Sequence, residues 1–249
     1  MIKVVLFDLD GTLLPMDQDK FIKAYFGGIT KRLENFGYEP KQLISAIWAG
    51  TADMIKNDGA TANEHVFWKR FVDVFGEKAR ADEPHFTEFY EEDFDKIQKV
   101  CGYNEKASKT ICKVKSLGLT SKTICKVKSL GLRTALATNP IFPAIATQKR
   151  IKWAGLNVSD FELVTTYENS RFCKPNLEYY KDIIKFLGVE ANECVMVGND
   201  VGEDMITKNL GMKVFLLTPN LINKNNEDIT IYPHGGYDEL LEFLDKVNA

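Results

Sequence analysis

Met1-Ile2-Lys3-Val4-Val5-Leu6-Phe7-Asp8-Leu9-Asp10-Gly11-Thr12 is the stretch on which the reading of this chain turns. From Ile2 to Phe7 it is apolar except for Lys3, rich in β-branched and aromatic side chains, and of the length of a strand buried on both faces of a parallel sheet. It stops at two carboxylates, at the sheet edge where open α/β folds bind ligands. Residues two apart on a strand share a face, and Gly11 marks the departure into a turn. Acids that simply end a strand are the plain alternative, so the meaning of Asp8 and Asp10 depends on what the rest of the chain brings to the same edge.

Further along, the apolar runs 134–138, 161–166, 194–197 and 214–217 each adjoin a helical stretch, the βαβα signature of a parallel sheet. Short links and right-handed crossovers gather the carboxyl ends of such strands on one edge. The expected fold is α/β, a Rossmann-like three-layer core with a parallel sheet plus a small all-helical domain. Between Leu14 and about residue 103 the pattern is helical: Phe21-Ile22, Tyr25-Phe26 and Ile29 recur at helical spacing, as do Leu43-Ile44, Ile47-Trp48, Val66-Phe67 and Phe71. Tyr38-Glu39-Pro40 and Asn57-Asp58-Gly59 break the segments. The expected division is a core of 1–14 and 104–249 and a helical insertion of 15–103.

With 249 residues, the chain can bury a core without staples. Lys and Arg number 32 against 35 Asp and Glu, a net charge of −3 with neither sign in blocks, which argues against a nucleic-acid partner. No apolar stretch approaches the roughly 20 residues that span a bilayer, so a cytoplasmic location is the default expectation. The five cysteines are odd in number and lack C-x-x-C spacing, as reduced thiols would be.

The segment SKTICKVKSLGL at 108–119 recurs unchanged at 121–132. An offset of 13 residues turns a helical pattern by about 220°, so one continuous helix cannot put both copies against one core. Solenoid repeats diverge and come in threes or more, whereas this is a single identical tandem copy. The second copy leads into the strand at Arg133 and is expected to keep the core position.

Three polar clusters follow the later strands. Thr138-Asn139-Pro140 offers a hydroxyl and backbone N–H groups to phosphate oxygens, Lys174-Pro175 a compact cation, and Gly198-Asn199-Asp200-Val201-Gly202-Glu203-Asp204 carboxylates suited to magnesium. Each could be a turn, a solvated lysine or a helix-start acid. Together with the opening motif, in this order, they resemble the haloacid dehalogenase-like hydrolase superfamily over the whole Rossmann-like core.

That resemblance implies Asp8 as nucleophile, and Asp10 as general acid and base that also offers its carbonyl to Mg2+. It implies Thr138 and Asn139 as phosphate binders, Lys174 as the cation that steadies nucleophile and phosphate, and Asn199, Asp200 and Asp204 in the metal-binding motif. The family usually has Asp directly after the motif glycine; here stands Asn199, and Asp200 is favoured over it as direct metal ligand. The helical insertion resembles the family's cap. The 34 residues between Asn139 and Lys174 leave little room for a second one. Lys20, Lys23, Trp48 and Lys56 are conceivable substrate contacts, with solvated lysines and a core tryptophan as the plainer reading.

The implied activity is a magnesium-dependent phosphatase for a small phosphorylated molecule, of sugar phosphate, phosphoglycolate or nucleotide type, acting through an aspartyl-phosphate. The second acid at Asp10 disfavours dehalogenase and phosphonate-hydrolase chemistry. A sugar phosphomutase and a catalytically impaired binding or regulatory protein are the alternatives.

Overall fold

The computed structural model describes residues 1–102 and 132–248. All of the first copy of the repeat, and the second copy up to residue 131, fall on residues outside these, so the position expected for the second copy lies outside the described residues except for its last residue, Leu132, which is buried. Five strands, β1 (Val4–Phe7), β2 (Arg133–Leu136), β3 (Cys194–Gly198), β4 (Lys213–Leu217) and β5 (His234–Gly235), form one parallel sheet in the order β2-β1-β3-β4-β5. The opening apolar run is therefore the middle-left strand, with Val4 to Phe7 in register with Arg133 to Leu136 on one side and Cys194 to Val197 on the other.

Strand alternation sorts the side chains into two layers. Val4, Leu6, Ala135, Cys194 and Met196 meet Tyr180, Ile183 and Leu187 of the helix Leu177–Leu187, whereas Val5, Phe7, Leu136, Val195, Val197 and Phe215 meet Leu240 and Leu244 of the C-terminal helix. The expected three-layer α/β core is present.

The run at 161–166 departs from expectation. It pairs with β2 through one bridge, Val164 to Leu136, supported by Glu162 N–H to Thr134 O at 2.8 Å and Thr165 N–H to Leu136 O at 3.1 Å. Charged Asp160 and Glu162 keep this edge irregular, and Glu162 instead takes Arg133 Nε at 2.6 Å. Strand β5, only His-Gly, has no apolar pattern to announce it.

Between β1 and β2 come helices α1 (Gln18–Leu33), α2 (Pro40–Ile55) and α3 (Asn63–Phe75), then short helices α4 (Lys78–Ala81) and α5 (Glu83–Glu88), continued by π and 3₁₀ turns over Phe89–Val100. Asp17 caps α1 by accepting the Lys20 N–H, and Glu39 accepts the Gln42 N–H ahead of Pro40 at the first turn of α2. Both expected breaks fall between helices. The chain enters and leaves this region side by side, with Met16 bridged to Cys101 and Gly102 N–H donating to Pro15 O at 3.0 Å.

Helix α6 (Ala144–Trp153) of the core packs on the insertion. Phe94 stacks on Trp153 at 5.0 Å and meets Phe21 edge-on at 6.2 Å, while Asp95 accepts from the Trp153 indole at 2.9 Å and from Lys149 at 2.6 Å. After α6 come α7, the helix Leu177–Leu187, and α8, the helix Tyr237–Asn248. No described helix is long and apolar enough to cross a membrane.

Because Phe94 is fully buried between sheet-side and insertion-side aromatics, Phe94→Ala is expected to lower the unfolding free energy by about 3–5 kcal/mol in urea denaturation. An unchanged midpoint would contradict this packing.

Candidate active site

The end of β1 turns sharply so that its two acids leave the sheet on one edge. Asp8 N–H is still in the ladder, donating to Val197 O at 2.9 Å, but from Leu9 on the chain folds back. The Leu9 carbonyl accepts from Thr12, Leu13 and Leu14, and Gly11 N–H donates to Leu14 O at 2.7 Å. Gly11 sits at φ +85°, and a β-carbon there would overlap the Asn199 carboxamide, so both conformation and space require glycine. Among the described residues, no hydrogen bond is accepted by the Asp10 carbonyl.

Lys174 lies at the centre. Its ammonium, 2% exposed as a residue, donates to Asp8 Oδ1 at 2.8 Å and to Asp204 Oδ1 at 2.6 Å. Burial alone would push the lysine pKa down; the two carboxylates outweigh it and hold the group well above its ordinary value. Asp204 Oδ2 accepts the Asp200 N–H at 3.0 Å, so this carboxylate is fully engaged. It approaches the end of β3 so closely that a β-carbon on Gly198 would overlap it. Burial raises the Asp204 carboxyl, with Lys174 opposing.

Asn199 and Asp200 differ in what they leave free. The Asn199 carboxamide accepts from Thr12 Oγ1 at 2.9 Å and donates to Asn220 O at 2.7 Å. A carboxylate there would set an oxygen against the Asn220 carbonyl, so this position needs an amide. Asp200 uses Oδ1 to accept the Gly202 and Glu203 N–H groups at 2.8 and 3.0 Å, and its Oδ2 makes no hydrogen bond with a described residue.

Asp10 has a partner that motif spacing did not reveal. Arg150, on α6 and 1% exposed, donates Nη1 to Asp10 Oδ2, reaches Thr147 Oγ1 at 3.3 Å and lies 4.7 Å over the Phe142 ring. Asp10 Oδ1 is buried without a hydrogen bond. Burial raises the Asp10 carboxyl above its usual range, with Arg150 lowering it and Asp8 adding to the rise. The available signal was an arginine on the same buried helix face as Thr147 and Ile151.

Thr138 and Asn139 close the other side. Thr165 Oγ1 and Tyr179 OH each donate to the Thr138 carbonyl at 2.8 Å, fixing the turn after β2. Asn139 Nδ2 donates to Glu203 Oε2 at 3.2 Å, and Asn139 Oδ1 is buried and unpartnered. Glu203, not singled out from sequence, has its pKa raised by burial.

These groups line one end of a cavity of about 370 Å³ between the sheet edge and the helical insertion. Asp8, Asp10, Thr138, Asn139, Asn199, Asp200 and Asp204 all border it. Trp48, expected in the core, is 49% exposed and borders it too, while Lys20, Lys23 and Lys56 do not. Five carboxylates, of Asp8, Asp10, Asp200, Glu203 and Asp204, gather around two buried cations, Lys174 and Arg150. Among the described residues no three His, Cys, Asp or Glu side chains form a ready cage. Magnesium does not need one, since one or two carboxylates with carbonyl and water oxygens suffice. The free Asp200 Oδ2, the Asp8 carboxylate and the unpaired Asp10 carbonyl are hard oxygen donors of that kind, and the uncompensated negative charge fits a divalent cation.

Comparison with known proteins places the fold and the family. Part of the chain is similar to the glyceraldehyde 3-phosphate phosphatase of Methanothermobacter thermautotrophicus, with 30% identity over 79 residues, 28% of this chain and 35% of that protein. The chain thus spans about a third of the length of the curated relative it matches. The fold resembles the HAD phosphatase from Thermococcus onnurineus (TM-score 0.57, 19% identity, 99% of this chain and 97% of the other). It also resembles the 2-haloacid dehalogenase from Pseudomonas syringae pv. Tomato DC3000 (TM-score 0.62, 16% identity, 99% and 100%). A shared fold leaves chemistry to the site. The sequence profile of the haloacid dehalogenase-like hydrolases matches residues 2–207, across every strand end described above except those of β4 and β5, and the chain belongs to that family of hydrolases.

Proposed function

We propose that this hydrolase is a magnesium-dependent phosphatase of small phosphate monoesters, acting through an aspartyl-phosphate on Asp8. The observation that carries the reading is the pairing of a lysine-held carboxylate, Asp8, with a second carboxylate, Asp10, that burial biases toward its protonated form.

In this reading an Asp8 oxygen attacks phosphorus while the ester oxygen departs, dividing one hard displacement into two. Asp10 gives its proton to the leaving alkoxide. It then takes one from the water that attacks the aspartyl-phosphate, releasing inorganic phosphate and restoring Asp8. Lys174 keeps Asp8 oriented and offsets charge on the phosphoryl oxygens, and the Thr138 hydroxyl with the N–H groups after β2 holds those oxygens. Arg150 sets the Asp10 rotamer.

Asp8, the Asp10 carbonyl and Asp200 would hold the magnesium ion, which when bound supplies charge neutralisation to the phosphate. Asn199 and Asp204 support that set from behind, since their polar atoms are engaged with Thr12, Asn220, Lys174 and the Asp200 N–H. The helical insertion acts as a cap that excludes water. Water as acceptor is favoured over a second sugar hydroxyl because the described walls that the insertion contributes carry no cation for a second phosphate.

Asp8→Asn is expected to reduce phosphate release from p-nitrophenyl phosphate by at least about a thousandfold; retained turnover would overturn the nucleophile assignment, and ligand binding without turnover in the unaltered protein would mark a binding role. Chelation with EDTA should abolish release and added magnesium restore it. Asp200→Asn should raise the magnesium needed for half-maximal rate by about 10- to 100-fold with the unfolding midpoint unchanged. Lys174→Met should inactivate the protein and also cost about 3–5 kcal/mol of stability, read by urea unfolding, because two buried carboxylates lose their cation.

A further inference from the structure

Beyond the carboxylate end, the cavity changes character. Ten aromatic side chains border it, most of them from the insertion, and Ile22, Ile29, Ile47 and Ile55 fill between them. Lys224 is the one lysine or arginine among the described lining residues, and it belongs to the carboxylate end: it follows Ile222, whose N–H donates to Asn199 O at 2.8 Å, and it is close enough to Glu203 to lower that residue's pKa. The described walls that the insertion contributes carry no cation and one anion, Glu83, which is paired with Arg80 at 2.9 Å.

Such walls have a chemical preference. A carboxylate or second phosphate on the leaving group would leave water for an apolar enclosure with no opposite charge, a costly transfer. A hydrocarbon leaving group gains from the same transfer, and a polyhydroxylated one would find few partners. The uncharged polar side chains on the described insertion walls, Gln18, Tyr25, Thr51, Trp68, Thr87 and Tyr90, are mostly engaged within the protein: the Tyr25 and Tyr90 hydroxyls bond each other at 2.9 Å, Thr51 Oγ1 donates to Ile47 O at 2.9 Å, Thr87 Oγ1 to Glu83 O at 3.4 Å, and Trp68 Nε1 is directed toward the Tyr167 hydroxyl. A cavity of roughly 150 Å³ suffices for a benzene ring, so about 370 Å³ holds a ring beside the phosphate.

Resting on the phosphatase reading, we infer that the substrate is a phosphate monoester of an uncharged, predominantly apolar alcohol, aromatic or branched alkyl, in preference to carboxylated or polyhydroxylated phosphates. Phe26, Ile47, Trp48, Phe67, Trp68 and Phe142 form the surface that selects it. Trp48 at the exposed rim has its ring 5.4 Å from that of Phe26 and is a wall position that can change charge without opening the core.

The test compares kcat/KM of the unaltered protein for benzyl phosphate and cyclohexylmethyl phosphate with that for glycerol 3-phosphate and 2-phosphoglycolate. All four are alkyl esters, so leaving-group reactivity is similar. The apolar esters are expected to lead by about 10- to 100-fold. Trp48→Arg is expected to shrink that lead by favouring 2-phosphoglycolate. Tryptophan fluorescence titration with benzylphosphonate and phosphonoacetate, which cannot be hydrolysed as esters, is expected to show benzylphosphonate binding at least about tenfold more tightly.

Hydrolysis of all four esters with glycerol 3-phosphate or 2-phosphoglycolate equal to or ahead of the apolar pair would overturn the inference and leave the phosphatase standing. No hydrolysis, with tighter binding of benzylphosphonate, would uphold the apolar pocket and remove the phosphatase. Equal or weaker binding of benzylphosphonate than of phosphonoacetate would overturn the inference whatever the rates.

Discussion

Everything at this site depends on one buried ammonium. Lys174 stands between Asp8 and Asp204, at 2.8 and 2.6 Å, in a place where any of the three charges alone would be untenable. Its position fixes three chain segments relative to one another: the end of β1, the turn before α7 and the loop after β3. Gly198 permits the approach by having no side chain in the space Asp204 fills. The Asp8 carboxylate is therefore held in a defined rotamer by Lys174, the kind of preorganisation that can stabilise developing charge without rearrangement.

A second buried cation divides the labour. Arg150 approaches Asp10 from α6, on the side of the sheet that carries the insertion, and α6 is itself braced by Phe94, Asp95 and Glu91 of that insertion. Lys174 comes from the other direction, ahead of α7. Two carboxylates only two residues apart in sequence are thus given different environments, one facing an ammonium shared with Asp204, the other a guanidinium with an unpartnered Oδ1 beside it. Separate environments for neighbouring acids are how one site assigns them different proton roles.

Much of this was legible in the sequence because the signal is local. A strand of Val-Val-Leu-Phe ending at Asp8, and another of Cys-Val-Met-Val ending at Gly198, put polar groups on one edge by topology alone. The Phe161–Thr166 run carries the apolar residues of a strand, but charged neighbours reduce it to a single bridge. Arg150 and Asn220 were not legible, since their roles lie across 140 residues for Arg150 and Asp10, and 209 for Asn220 and Gly11. Asn199 was visible as a departure, yet its reason required the Asn220 carbonyl and the Thr12 hydroxyl on either side of it. Trp48 misled because helical spacing predicts which face it occupies and not whether a cavity opens beneath that face.

The placement of β1 between β2 and β3 has a consequence for how the chain is made. Val4 to Phe7 is an early apolar segment whose two flanking partners arrive late and at different times. At roughly 5–20 residues per second, synthesis of residues 8–193 takes about ten to forty seconds, and until then at least one edge of this strand has no ladder to join. An unpaired Val-Val-Leu-Phe edge invites association with other chains, so the strand that leads into Asp8 stays open to such pairing until Cys194 to Val197 emerges.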